Sequence, residues 1–278
     1  MPKCFFKMIK SYIRTNLIGL LCLLIISCSK YQKLRKSTDW EPKYEAAMKY
    51  YEKKDFARAV ALFEDILPII RGTKEAESAN FYYAYAHFYQ DLFILSAHYF
   101  ETFLEIYSRS DLAIEANYMF GYSLYMQSPE FNLDQSPSNQ AINVMQNFIN
   151  QYPSSKFAEN AGKIVNELEL KLEKKEFENA KLYCKLQKYE AAMVTLENFI
   201  KEFPGSIFQE EALFLTVQTA HDYAIASIIS LQNERFKSCV DKYQIFIDKY
   251  PNSIFLKYAE KYYVNSTDFL TKFALQNN

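Results

Sequence analysis

The sequence predicts an all-α fold, an array of about five irregular helical hairpins closed by a C-terminal capping helix. Three observations carry this. Half of the 278 residues are hydrophobic, and there are only 5 Gly and 8 Pro, too few turn formers for an all-β fold. From Trp40 onward apolar residues recur at helical spacing almost without a break. One phrase also returns along the chain: an aromatic, Pro, x, Ser, x, Phe, then Ala four positions on. It reads Tyr152, Pro153, Ser155, Phe157, Ala161; then Phe203, Pro204, Ser206, Phe208, Ala212; then Tyr250, Pro251, Ser253, Phe255, Ala259. Copies without proline keep Tyr107, Ser110, Leu112 and Ala116, and Ile70, Thr73 and Ala79.

The phrase is a helix-to-helix junction. Proline cannot continue a helix, so each copy ends one. The hydroxyl can take free amides of the next helix, and Ser206 with Gln209 has capping-box spacing. Phe and Ala, four apart, share one face of the new helix. A junction recurring about five times marks a helical repeat array.

Within the array, the tetratricopeptide pattern of small residues, Tyr, a further small residue, Phe and Pro recurs. The first unit supplies Ala47, Tyr50, Ala59 and Phe63; the second Ala84, His87, Ser96 and Phe100. The third supplies Gly121, Leu124, Ala141, Met145 and Pro153; the fourth Ala180, Tyr183, Ala192, Leu196 and Pro204. The fifth keeps Cys239, Tyr243 and Pro251. Small residues let two helices cross closely, and the large one fills the space beside them. Junctions at 70, 107, 152, 203 and 250 lie 37, 45, 51 and 47 apart, longer than the usual 34. A loop over Gln127–Asn139 inside the third hairpin accounts for part of the excess. One or two long Glu/Lys-rich helices over Phe157–Lys188 account for more. The fifth unit's first helix is expected over Gln209 to Leu231, and the capping helix over Ile254 to Leu275.

Residues 1–27 read as a signal peptide. Lys3, Lys7, Lys10 and Arg14 form a basic start, and Leu17–Ile26 is an apolar run of ten, too short to span a membrane. Ile25-Ile26-Ser27-Cys28 resembles the bacterial lipobox, which implies cleavage before Cys28 and a lipid (palmitate-type acylation) on it. The other reading is an ordinary secretory signal with a chance Cys. Several acyl chains on one residue anchor stably. Cleavage removes four basic groups and no acidic one, taking the formal charge from -1 to -5, and such a chain has no footprint for nucleic acid. Residues 28–40 form a linker whose Lys30, Lys33, Arg35 and Lys36 either meet lipid headgroups or are solvated. Ser29 and the absence of an acidic run after Cys28 point to the periplasmic face of the outer membrane. Cys184 and Cys239 remain in different repeats without CxxC spacing; two small buried residues and a disulfide are the two readings.

The run Tyr118-Met119-Phe120-Gly121, through Leu133-Asp134-Gln135, to Phe148-Ile149-Asn150-Gln151-Tyr152-Pro153 resembles the BamD family, lipoprotein subunits of the outer-membrane β-barrel assembly machine. The stretch Phe177 to Pro204, with Tyr189 and Ala192, continues the likeness, and the aromatic richness looks closer to Bacteroidetes-type relatives. The resemblance implies a non-enzymatic scaffold. Its residues 41–175, repeats one to three, would hold nascent outer-membrane proteins. Its residues 176–278, repeats four and five with the capping helix, would dock a BamA-type barrel subunit beside other assembly lipoproteins.

The residues themselves show no catalytic constellation and no cofactor motif. His87 and His98 sit on the two helices of one hairpin, but no Cys or carboxylate completes a metal-ligand spacing. No phosphate-cradling glycine loop or GxSxG occurs. The open face remains. Counting three before, one after and four after each small residue gives Tyr44, Met48 and Tyr51; Phe81, Tyr85 and Phe88; Tyr118, Tyr122 and Tyr125. Eight of the nine are aromatic. Each reads either as packing between helices or as part of an aromatic-seeking peptide groove, in which Tyr85 and Tyr122 would flank one subsite. A second functional class is a lipoprotein for cell-wall maintenance or glycan uptake. Sugar binding needs carboxylates and amides among the rings, and the nine positions hold none.

Overall fold

The computed structural model describes residues 30–276; the signal peptide and Cys28 lie outside the described residues. Among the described residues every regular element is a helix. A helical stretch over 30–35 precedes α1 (Glu41–Glu52), α2 (Phe56–Ile66), α3 (Lys74–Phe88), α4 (Phe93–Ile106), α5 (Ala113–Tyr125), α6 (Ser136–Gln151) and α7 (Ala158–Lys185). Then come α8 (Tyr189–Glu202), α9 (Gln209–Ile225), α10 (Ile229–Lys249) and α11 (Leu256–Gln276). Two compact units result: residues 30–128 with 140–162, and residues 129–139 with 163–276.

The recurring phrase folds the same way each time. The serine amide donates to the carbonyl of the aromatic three residues back, at 3.0 Å in Ser110, Ser155 and Ser206 and 3.2 Å in Ser253. The serine hydroxyl then accepts the amide two residues on, from Leu112, Phe157, Phe208 and Phe255 at 2.9–3.3 Å. The hydroxyl therefore closes a tight turn ahead of the helix, rather than capping the helix itself. The capping box expected at Ser206 and Gln209 does not form. Gln209 is buried and turns back, its amide donating to the carbonyls of Ile200 at 2.8 Å and Phe203 at 2.6 Å. The Ile200 carbonyl lies in the last turn of α8, where carbonyls have no partner within the helix, and the Phe203 carbonyl just beyond it also takes the Ser206 amide.

Three hairpin turns share a second device. Lys54, Asp91 and Gln187 have φ of 60°, 59° and 56°. The residue after each donates its amide to the carbonyl of Tyr50, His87 or Tyr183. This is a Schellman ending with a side chain where glycine is usual.

In the first unit α1 packs on α2, α2 on α3, α3 on α4 and α4 on α5. The small positions Ala47, Ala59, Ala84, Ser96 and Ala141 are fully buried, with Phe63, Phe100 and Met145 beside them. At Gly121 an added Cβ would lie 3.0 Å from Met145 Sδ and 3.0 Å from Val144 Cγ1. A side chain here would force Met145 or Val144 to give way by a few tenths of an ångström. The Ser96 and Ser123 hydroxyls meet at 3.0 Å in the core, and Ser123 also donates to Met119 O.

The second unit buries Phe177, Ala180, Leu196, Phe199 and Ala212 in one cluster. Leu213, Phe214, Val217, Ala220, Cys239, Tyr243, Phe246 and Ala259 form another. The fourth-unit Tyr183 is exposed instead of packed. The region expected as one or two long helices is one helix of 28 residues, α7. The fifth hairpin's first helix stops at Ile225, short of Leu231, and residues 226–228 make the turn. The inserted loop is held by Gln135, which is buried. Its amide donates to Glu130 O and Leu133 O while its Oε1 accepts from Ser138. Lys175 of α7 donates to Leu133 O, and Lys174 lies 4.4 Å from the Phe131 ring centroid.

Cys184 and Cys239 are both free. Cys184 meets the Thr219 hydroxyl and Cys239 faces Val217 O. Burial pushes the Cys239 thiol up to about 11, so it stays protonated and unreactive near neutrality.

Candidate functional site

The nine calculated positions lie on α1, α3 and α5, all in the first unit. Tyr44, Met48, Tyr51, Tyr85, Phe88, Tyr122 and Tyr125 are half-buried. Phe81 and Tyr118 are only 3% and 7% exposed and form the wall behind the row. Phe81 packs on Phe100 and Phe103 of α4. Tyr118 packs on Phe148, stacks on Phe157 at 4.5 Å, and its hydroxyl accepts from Asn160 at 2.6 Å.

Two sets of rings run across the hairpins. In the first, Tyr51 meets Tyr82 at 4.9 Å and Phe56 at 5.5 Å; Phe56 stacks on Tyr89 at 4.8 Å, and Tyr89 on Tyr85 at 5.9 Å. In the second, Phe88 meets Tyr122 at 5.6 Å, and Tyr122 stacks on Tyr118 at 5.7 Å and neighbours Tyr125. Phe88 and Tyr89 join the sets edge-on at 5.8 Å. Tyr85 and Tyr122 therefore stand in different sets, Tyr85 against Tyr89 and Tyr122 against Phe88. Tyr122 meets Phe88, which lies three residues after Tyr85 on α3.

Tyr89 and Phe157 were not among the nine positions. Tyr89 follows the last residue of α3, where helical counting stops, yet it is 52% exposed and central to the first set. Phe157 belongs to the junction phrase, so its residue type was legible but its stacking on Tyr118 was not.

A carboxylate also reaches the face. Tyr85 donates to Glu115 Oε1 at 2.6 Å, and Lys156 Nζ lies 3.9 Å from Oε2. Burial and then this hydrogen bond push the Tyr85 hydroxyl well above its ordinary range. Burial and the neighbouring Tyr89 do the same at Tyr51. Both phenols stay neutral at any physiological pH and act as donors with apolar faces. At one end the row opens into a cavity of about 310 Å³ lined by Tyr51, Glu52, Lys54, Phe56 and Tyr89. Apolar walls with a charged rim suit an aromatic or aliphatic side chain on a segment with its backbone at the rim.

His87 is buried between Tyr83 and Tyr99, with neither ring nitrogen paired, while His98 is exposed. Among the described residues no group of three or more His, Cys, Asp or Glu could hold a metal ion. Among the same residues no helix is long and apolar enough to cross a membrane.

A family model described as outer membrane lipoprotein, YfiO, matches residues 37–232. The chain belongs to this outer membrane lipoprotein family. No curated protein matches the chain. The YfiO match takes in all nine calculated positions, Tyr89, Phe157 and Glu115, together with the stretches that carried the resemblance to the BamD family. It ends in the second turn of α10, so most of α10 and all of α11 lie beyond it.

Proposed function

We propose that this YfiO-family chain is a non-enzymatic scaffold in the assembly of outer-membrane β-barrel proteins. In this reading Cys28 carries the lipid anchor and the protein works from the periplasmic face of the outer membrane. The first unit receives an extended segment of a nascent barrel protein along the aromatic row. Residues 176–278 dock the BamA-type barrel subunit, alongside other lipoproteins of the machine. The observation that carries the reading is the joined row of half-buried rings across three hairpins, ending in the Tyr51–Tyr89 cavity. Rings at such spacing take apolar side chains from a strand, and Glu115 within the row is already engaged by Tyr85 and Lys156.

The docking half of the proposal draws support from the α9–α10 turn. Ile228 and Ile229 are 69% and 75% exposed there, beside exposed Ile225 and Leu231. Side chains brace the turn: Ser227 O accepts from Gln232, and the Arg235 guanidinium lies 3.6 Å from the Tyr223 ring centroid. Fixed apolar side chains without cover mark an interaction site. The test is affinity purification of the intact lipoprotein from solubilised membranes with mass spectrometry. Barrel subunit and barrel precursors should be recovered, and I228S/I229S should lose the subunit while keeping the precursors. Recovery of cell-wall or glycan-uptake proteins in their place would reject the proposal.

A further inference from the structure

A pocket of about 200 Å³ lies between the helical stretch 30–35 and α1, lined by Lys30, Tyr31, Leu34, Ala46, Lys49, Tyr50 and Lys53. Its floor is apolar and aromatic. Its charged lining residues are three lysines, and no carboxylate lines it. On α1, positions 46, 49 and 50 share one face, and Lys53, the C-cap residue of α1, continues it, so Lys49 and Lys53 stand on the side that meets the stretch 30–35.

The pocket is built, not a chance meeting of loose side chains. Arg35 pairs with Asp65 of α2 through two hydrogen bonds, at 2.9 and 3.1 Å. That pairing, with Lys43 nearby, holds the Asp65 carboxyl below its usual range. The Tyr31 and Tyr50 rings meet edge-on at 5.6 Å, and the Arg58 guanidinium lies over both, at 5.5 and 5.6 Å. The structure thus fixes the segment that follows Cys28 to the first hairpin.

We infer that this pocket is a second membrane contact, which takes the phosphate headgroup of an anionic phospholipid in the leaflet that carries the anchor. Only one residue separates Cys28 from Lys30, so the chain reaches at most about 7 Å between them. A lipid on Cys28 therefore puts the lysine rim at headgroup depth. Three ammonium groups over a Tyr floor complement a phosphate above an apolar glycerol region, and tyrosines favour that interface. The inference rests on the anchor reading for its orientation alone.

The test uses the chain from residue 28 onward with Cys28→Ala, which keeps every described residue and has no acyl group. Binding is measured by co-sedimentation with vesicles of phosphatidylcholine alone or mixed with phosphatidylglycerol. The unacylated chain should bind the anionic vesicles and release with salt, and ignore the neutral ones. Neutralising the pocket with K49Q/K53Q should weaken binding about thirtyfold, from the usual worth of a lysine near an anionic surface. The control K33Q/K36Q makes the same charge change outside the pocket lining and should lose no more than a few fold; circular dichroism should show both variants folded. Equal binding to neutral vesicles, or equal losses in the two variants, would overturn the pocket. Displacement by inorganic phosphate at matched ionic strength would overturn the lipid as its source. Fatty-acid labelling of the native protein is a separate readout. An unlabelled Cys28 would remove the anchor reading while the vesicle result stood.

Discussion

Replacing Gly121 by Ala tests a close helix crossing in the first unit. The added Cβ would sit 3.0 Å from both Met145 Sδ and Val144 Cγ1. Met145 is fully buried in the core, where a shift must displace its neighbours; Val144 is β-branched and stiff. Overpacking of this kind costs about 1–3 kcal/mol. Against it stands the gain from replacing glycine inside a helix, about 0.8–1 kcal/mol. The net expectation is a loss of about 1 kcal/mol. The pair G121A/M145A isolates the clash. M145A alone empties a fully buried site and should cost about 2–5 kcal/mol. In the double variant the new methyl gains room, so the loss should fall short of the two single losses added together by about 1–3 kcal/mol. Urea unfolding of the four proteins measures this coupling. Additive losses, or a G121A that is simply more stable, would refute the claim that α5 and α6 cross too closely to take a side chain without a shift.

Further predictions concern burial and turns. Burial lowers the His87 pKa below its ordinary 6.5, with Glu64 opposing weakly. The unfolded chain then takes up a proton that the fold resists, so stability is full above about pH 6.5 and falls as pH drops below it, by at most about 1.4 kcal/mol per pH unit; H87F should flatten this slope, read from melts at pH 7.5 and 5. Q187G and D91G should each stabilise by about 1 kcal/mol, because glycine adopts φ near +57° without the Cβ penalty; loss of stability in both would contradict the Schellman reading. Cys239 should resist iodoacetamide in the folded protein and react only on unfolding, as its raised thiol pKa and full burial require.

Much of the fold was legible because it rests on local rules. The small residues Ala47, Ala59, Ala84, Gly121, Ala141, Ala180 and Ala192 all face close crossings, since their spacing follows the helical period. The junction phrase was legible for the same reason. What escaped depends on groups far apart in sequence. Gln209 could have capped its own helix, but the carbonyls of α8 offered it two bonds. Tyr89 and Glu115 enter the ring row through the offset of one hairpin on the next, which no single helix's period encodes. Counting along each helix put Tyr85 and Tyr122 at equivalent positions; which ring each one touches, Tyr89 or Phe88, was set by packing. The pocket beside Lys30 needed the Arg35–Asp65 pair, 30 residues apart.

The central claim is that the first unit's ring row holds barrel-derived peptide. The direct measurement is calorimetric titration of the mature chain with a synthetic barrel-protein terminus ending in an aromatic residue. Tyr51 and Tyr89 both line the cavity at the end of the row, and ring pairs contribute about 0.5–1.5 kcal/mol each. Y51A/Y89A should therefore weaken binding about thirtyfold, roughly 2 kcal/mol. Y89A alone should lose part of that with only a modest fall in melting temperature, because the ring is half exposed but packs on Phe56 and Tyr85. Wild-type affinity in a folded Y51A/Y89A variant would contradict the account.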